Sequence, residues 1–426
     1  MSDNDLGLWL QRLEQRHPNE IDLGLERVGE VAERLGLLPL TVPVLTIAGT
    51  NGKGSTAAAL ESLLLQLGRR PGVFSSPHLL RFNERIRVAG FEASDEDIVA
   101  AFARIEEARG DISLSYFEFA TLAALLVFRS DAADVVVLEV GLGGRLDAVN
   151  IVDASVAVIT SIALDHQQWL GDDIDAIGRE KAGVLRAQRP AVIAEPAPSE
   201  GLLQAIAESA AEPYFIGRDF FCDEQAGTWQ ARVRSADGSL IELEPQPQSP
   251  IIATNLCAAL QALSLLGEDV THLELSQALA DFAPVGRRQS VAIAGRDYIL
   301  DVAHNPHSVE KLLEYLQLNP CEGKTIALFS AMEDKAVRDI IRLSAASFTA
   351  WFLADQPSNP RAAKAADIAA MLRDENQYMI SVSKNLRQAF RRAQSLITEQ
   401  DRLVVFGSFS TVAELLPLLE KDRNRK

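Results

Sequence analysis

A lysine follows a glycine-rich turn within residues 42–56, VPVLTIAGTNGKGST, and this arrangement is typical of a site that binds phosphate groups. The apolar, β-branched run ends at Ala48, and a helical pattern begins near Lys53. Glycines let backbone N–H groups turn towards an anion, the helix N-terminus adds positive potential, and the ammonium group bridges phosphate oxygens. The common phosphate-loop pattern has Ser or Thr directly after the lysine, whereas Gly54 separates Lys53 from Ser55 here. An ordinary strand–helix turn is the alternative, which the flanking strand and helix disfavour.

Three further polar side chains follow apolar, strand-like runs. Ser76 follows PGVFS, Glu139 closes VVVLE, and Asp165 and His166 follow SIAL. The carboxyl ends of parallel strands meet at one edge of a sheet, where ligands bind. A hydroxyl, a carboxylate and one imidazole at this edge suit Mg²⁺ or Mn²⁺. The alternatives are a turn cap for Ser76, a buried ion pair between Glu139 and Arg145, and a structural histidine.

Charged residues elsewhere are weaker candidates. Lys181 lies in the helical stretch GREKAGVL, where a surface ion pair with Glu180 is the alternative reading. Asp301 ends the strand-like run YILD and could accept hydrogen bonds from a ribose or an adenine. Arg287 could bring a positive charge to nucleotide phosphates, or it could be an ordinary linker arginine.

These residues must be positioned by an alternation of apolar strands and helices, which predicts the α/β class. Fully apolar strands separated by helices indicate a parallel sheet covered on both faces. We therefore predict a doubly wound parallel sheet domain containing the phosphate loop (P-loop) over residues 1–284. A smaller Rossmann-like α/β domain is predicted over residues 285–426. Antiparallel hairpins are expected over 214–252, and the segment PVGRRQSVAIAG, starting at residue 284, is interpreted as a linker.

Composition limits the partners of the chain. The 426 residues carry 41 Lys and Arg against 59 Asp and Glu, a net charge of −18, which argues against nucleic acid or an anionic membrane as the main partner. The three cysteines are widely spaced, so neither a disulfide framework nor a zinc cluster is predicted. The N-terminus lacks signal-peptide features, and no apolar run reaches membrane-spanning length. We expect a cytoplasmic protein.

Together these motifs resemble the folylpolyglutamate synthase family of the Mur ligase superfamily, over nearly the whole chain. The segments that carry the resemblance are GTNGKGS (49–55), SSPHLLRFNERIRV (75–88), GDISLSYFEFAT (110–121), LEVGLGGRLDAVN (138–150), SIALDHQQWLG (161–171), EKAG (180–183), GRRQ (286–289) and DVAHNP (301–306). The Lys–Gly–Ser order of the phosphate loop is the form that this family uses. The resemblance implies ATP-dependent amide-bond formation: a carboxylate of dihydropteroate or a reduced folate is phosphorylated, and L-glutamate then displaces phosphate.

The resemblance also implies roles for individual residues. Catalysis is assigned to Lys53, Lys181 and His166, with Lys181 carbamylated. The other implied positions are ATP contacts at Thr50, Asn51, Gly52, Lys53, Gly54, Ser55, Asn255, Arg287 and Asp301; contacts to 7,8-dihydropteroate or folate at Ser115, Tyr116, Phe117, Glu118, Leu146, Asp147 and Ala148; and metal ligands at Ser76, Glu139 and His166. Two Mg²⁺ sites and a monomeric enzyme are expected.

Two other hypotheses compete with the folate ligase. A Mur-type ligase for cell-wall precursors is expected to have an additional N-terminal domain, and the residues before the phosphate loop are too few to form one. A non-catalytic nucleotide-binding module is expected to lack the loop lysine or the metal carboxylate. Lys53 and Glu139 are both present.

Overall fold

The chain divides into two compact units, Met1–Phe282 and Ala283–Lys426. The computed structural model describes residues 5–16, 22–225, 227–249, 251–280 and 285–423. Each unit has its own sheets and its own helices, and each is described here by itself.

The first unit is built on an eight-stranded sheet. Its strands β1 to β8 are Val44–Ala48, Pro71–Phe74, Ile86–Val88, Phe91–Glu92, Val135–Glu139, Val156–Ile159, Pro190–Ile193 and Glu212–Phe215. Their order across the sheet is β4-β3-β2-β5-β1-β6-β7-β8. The neighbouring pairs from β2 across to β8 are parallel, whereas β3 and β4 form an antiparallel edge.

Helices cover both faces of this sheet. The helices α1 to α10 are Leu6–Arg16, Glu26–Arg34, Lys53–Gln66, Asp95–Arg109, Tyr116–Ser130, Gln167–Leu170, Ile174–Ala182, Glu200–Ser209, Ala253–Leu266 and Leu275–Ala280. In β1, Val44 and Ala48 pack into the core shared with α4 and α5, and Leu45 and Ile47 pack into the core shared with α3 and α9. A strand that is apolar on both faces must be buried on both. The predicted doubly wound α/β sheet is therefore confirmed.

A small antiparallel sheet adjoins α9. Its strands β9 to β12 are Phe221–Gln225, Thr228–Arg234, Leu240–Glu242 and Gln246–Pro247. Strand β10 pairs antiparallel with the other three, and its Trp229 is buried in the core that contains α9. Hairpins are thus present within 214–252 as predicted, although Tyr214 and Phe215 belong to the parallel strand β8.

The second unit has a six-stranded sheet in the order β13-β14-β18-β15-β16-β17. These strands are Gln289–Ile293, Arg296–Leu300, Thr325–Phe329, Ala350–Ala354, Ile380–Ser383 and Arg402–Phe406, numbered β13 to β18. The helices α11 to α15 are Pro306–Leu318, Val337–Ser344, Ala365–Asp374, Leu386–Leu396 and Phe409–Arg423. Five strands are parallel, and β13 adds an antiparallel edge.

The interpretation of 284–295 as a linker was wrong. Gln289–Ile293 is strand β13, which pairs with β14 so that Ile293 lies opposite Arg296. The two connecting residues, Ala294 and Gly295, have φ values of +52° and +72°. Positive φ at both central positions is typical of the tightest hairpin turns. An Ala–Gly turn is a weak sequence signal, and the same turn at Ala89–Gly90 joins β3 to β4.

The sequence pattern also predicts a helix near 275–282. It is present as α10, Leu275–Ala280, and residues 281 and 282 lie outside the described residues. In the part of the chain that the structure describes, no helix combines the length and the apolar character needed to cross a membrane.

Aromatic rings form the centre of the second unit. Phe406 is fully buried, and its ring centroid lies 4.9 Å from that of Phe329 and 5.5 Å from that of Phe348. We predict that Phe406→Ala lowers the free energy of unfolding of this unit by about 3 to 5 kcal/mol, because it leaves a cavity that rigid neighbouring rings cannot fill. Urea unfolding followed by hydrogen exchange of peptides from β15 and β18 measures this. Tyr378→Ala, which removes an exposed ring, is the matched control, and an equal effect of both variants would contradict the prediction.

Candidate functional site

The phosphate loop connects β1 to α3 and is held in a conformation that only glycine adopts readily. Gly49 has a φ of +148°, and a Cβ atom there would lie 1.8 Å from Thr160 Oγ1. Gly52 has a φ of +93° and is the N-cap of α3, with no side chain capping the helix. The N–H groups of the first turn of α3 are therefore available to an anion. Lys53 Nζ donates to the carbonyl oxygens of Gly49, at 3.0 Å, and Thr50, at 3.3 Å.

The loop is fixed to the segment that follows β6. Thr50 N–H donates to Ser161 O at 2.7 Å, and the Thr50 hydroxyl donates to Ala163 O at 3.0 Å. Ala163 N–H in turn donates to Thr50 Oγ1. The Ser161 hydroxyl donates to Asn51 O. The side chain of Thr50 therefore braces the loop, and the same segment leads on to Asp165 and His166.

Ser76 and Glu139 lie together at neighbouring strand ends. Strand β5 pairs with β1, with Glu139 opposite Ile47, and β2 pairs with the other side of β5. Ser76 N–H donates to Glu139 Oε2 at 3.0 Å. Glu139 is 3% exposed, so its carboxylate lies within the protein directly beside the phosphate loop. Ser76 and Glu139 therefore meet at one edge of the sheet, and their role as metal ligands stays a prediction.

Arg145 does not pair with Glu139. Its guanidinium contacts Glu180, with Arg145 Nε 3.1 Å from Glu180 Oε2, and its N–H donates to Glu180 O. The cation close to Glu139 is instead Arg85, which is buried and interacts electrostatically with this carboxylate. The sequence predicts no role for Arg85, although this residue lies in the segment SSPHLLRFNERIRV (75–88). The charge of Glu139 is therefore balanced by a residue of the short 3₁₀ turn Phe82–Arg85, which leads into the edge strand β3.

His78, for which the sequence also predicts no role, contacts the same arginine. Arg85 Nε donates to His78 Nδ1 at 2.7 Å, so the ring nitrogen acts as the acceptor. Burial, and then the positive charge of Arg85, lower the pKa of His78 to about 4. His78 is therefore neutral at neutral pH. No sequence signal connects the two, because they are seven positions apart and the burial of Arg85 is seen only in the structure.

The loop after β5 packs closely against helix α7. A Cβ atom at Gly144 would lie 2.7 Å from Glu180 O and 2.9 Å from Lys181 O. A Cβ atom at Gly141 would lie 2.6 Å from the Phe117 ring. These close approaches explain the glycines of GLGG, because larger residues would separate the loop from α7 and α5.

Lys181 is brought to the phosphate loop by this packing. It is 4% exposed, and its Nζ donates to Gly49 O at 2.8 Å. Burial, and then the neighbouring Lys53 ammonium, lower the pKa of Lys181 to about 7. The surface ion pair with Glu180 that the sequence left open is not the environment of this lysine. Near neutral pH a substantial fraction of Lys181 is an uncharged, nucleophilic amine.

Asp165 and His166 complete the wall of a small cleft. His166 has a φ of +52°, and its N–H donates to Asp165 Oδ1 at 2.8 Å. The cleft brings together the phosphate loop, the loop after β5, the segment after β6 and helix α7. Its lining residues are Gly49, Thr50, Lys53, Val140, Gly141, Leu142, Gly143, Asp165, His166, Leu170 and Lys181.

The donors around this cleft fit a magnesium ion that binds together with phosphate. Among the described residues, no group of three or more His, Cys, Asp or Glu side chains forms a preformed metal cluster. Mg²⁺ is commonly held by one or two carboxylates, with waters and substrate phosphates as the remaining ligands. Glu139 with Ser76 would supply such a partial set next to the loop, and His166 lies on the cleft wall. Mg²⁺ would supply charge neutralisation on phosphate oxygens there.

Ser115 and Glu118, predicted to contact the substrate, form the N-terminal capping box of α5. Ser115 N–H donates to Glu118 Oε2 at 2.6 Å, and Glu118 N–H donates to Ser115 Oγ at 3.3 Å. Both side chains are buried and engaged with the backbone. Phe117 and Tyr116 present rings beside them: Phe117 packs on Gly141, and Tyr116 lies beneath the Arg85 guanidinium. The two aromatic residues therefore supply the apolar surface at the start of α5.

Leu146, Asp147 and Ala148 lie beside the GLGG loop. Asp147 is buried, and its carboxylate accepts from Leu142 N–H at 2.8 Å and from Val149 N–H at 3.1 Å. Burial raises the pKa of Asp147 to about 6. The hydrogen bonds from these N–H groups and the charge of Lys53 lower the pKa, but they offset only part of the effect of burial. Asp147 therefore shapes the loop and contributes negative charge near Lys53.

The remaining predicted nucleotide contacts lie in both units. In the first unit, Asn255 on α9 approaches the phosphate loop so closely that a Cβ atom at Gly52 would lie 2.6 Å from Asn255 Oδ1. In the second unit, Asp301 accepts from Arg288 N–H at 2.9 Å and from Ala303 N–H at 2.7 Å. The Arg288 guanidinium donates to Lys311 O, whereas the Arg287 guanidinium lies over the Phe409 ring.

Gly52→Ala tests the importance of this close approach. The variant places a Cβ atom on a residue with positive φ, where it is strained, and too close to the Asn255 side chain. We therefore predict that the affinity for ATP falls about tenfold or more, with little loss of stability elsewhere. Calorimetric titration with ATP measures the affinity. Gly68→Ala is the matched control, since Gly68 has a φ of +73° but no atom within 4 Å of the place that a Cβ atom would occupy. Equal ATP affinity in the two variants would show that the loop geometry does not depend on Gly52.

Comparison with protein families identifies both units. The family model of the Mur ligase middle domain matches residues 47–239, which contain the phosphate loop and the cleft. The model of the Mur ligase glutamate ligase domain matches residues 286–409.

Relatives that match nearly the whole chain make the family assignment more specific. The dihydrofolate synthase/folylpolyglutamate synthase of Escherichia coli is 40% identical over 423 residues, covering 98% of this chain and 96% of that protein. The solved structure of E. coli FolC with DHPP and ADP has a TM-score of 0.92 at 40% identity and covers 99% of both chains. A bifunctional folylpolyglutamate synthase/dihydrofolate synthase with Mn, AMPPNP and L-glutamate bound has a TM-score of 0.89 at 40% identity, covering 98% of both chains. The chain therefore belongs to the dihydrofolate synthase/folylpolyglutamate synthase family of Mur ligases.

Proposed function

We propose that this protein is the ATP-dependent ligase that joins L-glutamate to 7,8-dihydropteroate and to reduced folates. The observation that carries this proposal is the convergence of Lys53, Lys181, Glu139 and His166 at the carboxyl ends of neighbouring strands. Two lysines and a buried carboxylate beside a phosphate loop suit phosphoryl transfer to an anionic acceptor. The ligands of the related structures, which include ADP with DHPP and AMPPNP with L-glutamate, agree with these substrates.

In this proposal the reaction has two transfers. A carboxylate oxygen of the pteroate or folate attacks the γ-phosphorus of ATP, an acyl phosphate forms, and ADP leaves. The amino group of L-glutamate then attacks the acyl carbon, loses a proton and displaces inorganic phosphate. Lys53 and the N–H groups at the start of α3 hold the phosphates and offset the negative charge that develops on them. Two Mg²⁺ ions, with Ser76 and Glu139 at one and His166 at the other, would lower the repulsion between the two anionic reactants.

Lys181 has a distinct role in this proposal, as a carbamate. Its neutral amine attacks carbon dioxide, an N–C bond forms, and a proton is released to solvent. The product is an anion in the place of a cation, so the repulsion from Lys53 becomes an attraction. A carboxylate-like group here also suits a position beside bound metal. The lowered pKa of Lys181 supports the modification, because only the neutral amine reacts.

The remaining predicted residues divide between substrate and nucleotide. Residues 115–118 and 146–148 form the loops that we assign to the pteridine-containing substrate, with Phe117 and Tyr116 as its aromatic contacts. Thr50 to Ser55 and Asn255 are assigned to ATP from the first unit. Arg287 and Asp301 are assigned to ATP from the second unit, to which we also assign the glutamate contacts. Arg287 is preferred to Arg288, because the Arg288 guanidinium already donates to Lys311 O.

A ligation assay tests the function. Purified protein with Mg²⁺, ATP and L-glutamate is expected to form dihydrofolate from 7,8-dihydropteroate, and longer glutamyl products from tetrahydrofolate. Product lengths are measured by mass spectrometry. Absence of both products, with ligation of amino acids to a nucleotide-linked cell-wall precursor instead, would favour the Mur-type alternative.

A single peak near 46.4 kDa in light scattering is expected for the monomer that we propose.

Lys181→Ala tests the proposed carbamate. We expect turnover to fall about a hundredfold or more, with partial recovery on addition of formate or acetate, because a small carboxylate can occupy the emptied position. Lys311→Ala, which removes a surface lysine paired with Glu314, should leave turnover unchanged. Full activity of Lys181→Ala would remove the proposed role.

The pH dependence gives a second test of the same residue. The pKa of Lys181 is lowered to about 7, so the fraction of reactive neutral amine increases as the pH rises through that value. The carbamate signal in ¹³C NMR with labelled bicarbonate should therefore grow between about pH 6 and pH 8. A signal that is independent of pH, or that persists in Lys181→Ala, would contradict the assignment.

A further inference from the structure

A short N-terminal segment, residues 22–27, contacts both loops that were assigned to the pteridine-containing substrate. Gly24 N–H donates to Leu146 O at 3.2 Å. Arg27 Nη2 donates to Glu118 Oε1 at 3.2 Å and to Asp22 O at 3.1 Å. Arg27 Nη1 also lies 2.9 Å from Asp22 Oδ2. One continuous stretch of chain is therefore bonded to the start of α5 and to the loop before Asp147.

The contact between Arg27 and Glu118 is placed where it controls the start of α5. Glu118 is 2% exposed, and its other carboxylate oxygen accepts the Ser115 N–H at 2.6 Å. The carboxylate thus has one oxygen on the helix cap and one on the arginine. A charge-assisted hydrogen bond to a buried carboxylate fixes the orientation of that carboxylate strongly. The backbone of Ser115, and with it Tyr116 and Phe117, depends on this orientation.

We infer that Arg27 is a positioning residue for the substrate loops, acting through Glu118. It does not touch the reacting atoms. It holds the aromatic pair Tyr116 and Phe117 at a fixed distance from residues 146–148, so that the flat pteridine ring finds a preformed slot. This inference rests on the proposed function for the identity of the substrate, and on the contacts above for the role of the arginine.

Arg27→Met and Arg27→Lys test the inference in steady-state assays with 7,8-dihydropteroate, ATP and L-glutamate. We expect Arg27→Met to raise KM for dihydropteroate about tenfold or more, because a charge-assisted bond is lost from a buried partner. KM for ATP and kcat should change less than about threefold. Arg27→Lys should raise KM for dihydropteroate less than Arg27→Met does, because it keeps one charged donor.

Arg34→Met is the matched control on the same helix. Arg34 Nη1 donates to the carbonyl oxygens of Ala108 and Arg109, so the variant loses an arginine anchor of α2 without affecting the substrate loops. Its KM for dihydropteroate should remain near that of the unmodified protein. A double variant with Glu118→Gln adds a further test: if Arg27 acts through Glu118, the two KM effects are not additive.

The outcomes separate the inference from the function on which it rests. Ligation by the unmodified protein, with an unchanged KM in Arg27→Met, overturns the role of Arg27 and leaves the function standing. Equal increases in the KM values for dihydropteroate and ATP, or fully additive effects with Glu118→Gln, also overturn it, because they indicate general disturbance or another route. Absence of ligation by the unmodified protein overturns the proposed function and the inference together.

Discussion

Two lysine ammonium groups share one backbone carbonyl oxygen, that of Gly49, and the rest of the site depends on this contact. Lys53 Nζ lies 3.0 Å and Lys181 Nζ 2.8 Å from this oxygen. Like charges held this close repel, and the repulsion is stronger because both lie in a poorly solvated cleft. Burial, and then this repulsion, lower the pKa of Lys181. The arrangement becomes favourable when anions enter, either phosphate groups on Lys53 or a carbamate on Lys181.

The fold holds this unfavourable pair in place by packing on every side. Gly49 is fixed because a side chain there would overlap Thr160, and Lys181 is fixed because the GLGG loop rests on the backbone of α7. The strand order β2-β5-β1-β6 then places Glu139 on one side of the phosphate loop and the segment containing His166 on the other. A sheet buried on both faces is stiff enough to keep cations and carboxylates at fixed distances before any ligand binds.

Much of this arrangement could be predicted from sequence, because it follows from features that are local along the chain. The glycine turn before Lys53 and the polar residues at the ends of apolar strands each need only a short window to be recognised. The rule that ligands gather at the carboxyl edge of a parallel sheet brings them together. The strands β3, β4, β13 and β17, at or next to the sheet edges, were not predicted, since they are only partly buried and carry polar residues among the apolar ones. In addition, two of the hairpins turn on an inconspicuous Ala–Gly pair.

Contacts between distant segments were beyond the sequence. Arg27 and Glu118 are 91 positions apart, and neither has a pattern that points to the other. The same holds for Arg85, which lies in the 3₁₀ turn Phe82–Arg85 and comes near Glu139 because the following strand, β3, pairs with β2. The sequence pattern suggested Arg145 as the cation near Glu139, because Arg145 follows the glycine turn directly after that strand. Such choices are made by packing, which no short window of residues encodes.

Transfer of oxygen from the substrate carboxylate to phosphate tests the central claim most directly. If the cleft catalyses phosphorylation of that carboxylate, then 7,8-dihydropteroate labelled with ¹⁸O in its carboxyl group must pass one labelled oxygen to the inorganic phosphate released. The measurement is the isotope shift in ³¹P NMR, or the mass of the phosphate, during a single turnover with L-glutamate. The account predicts one ¹⁸O in each phosphate. Unlabelled phosphate, released together with ligated product, would contradict it.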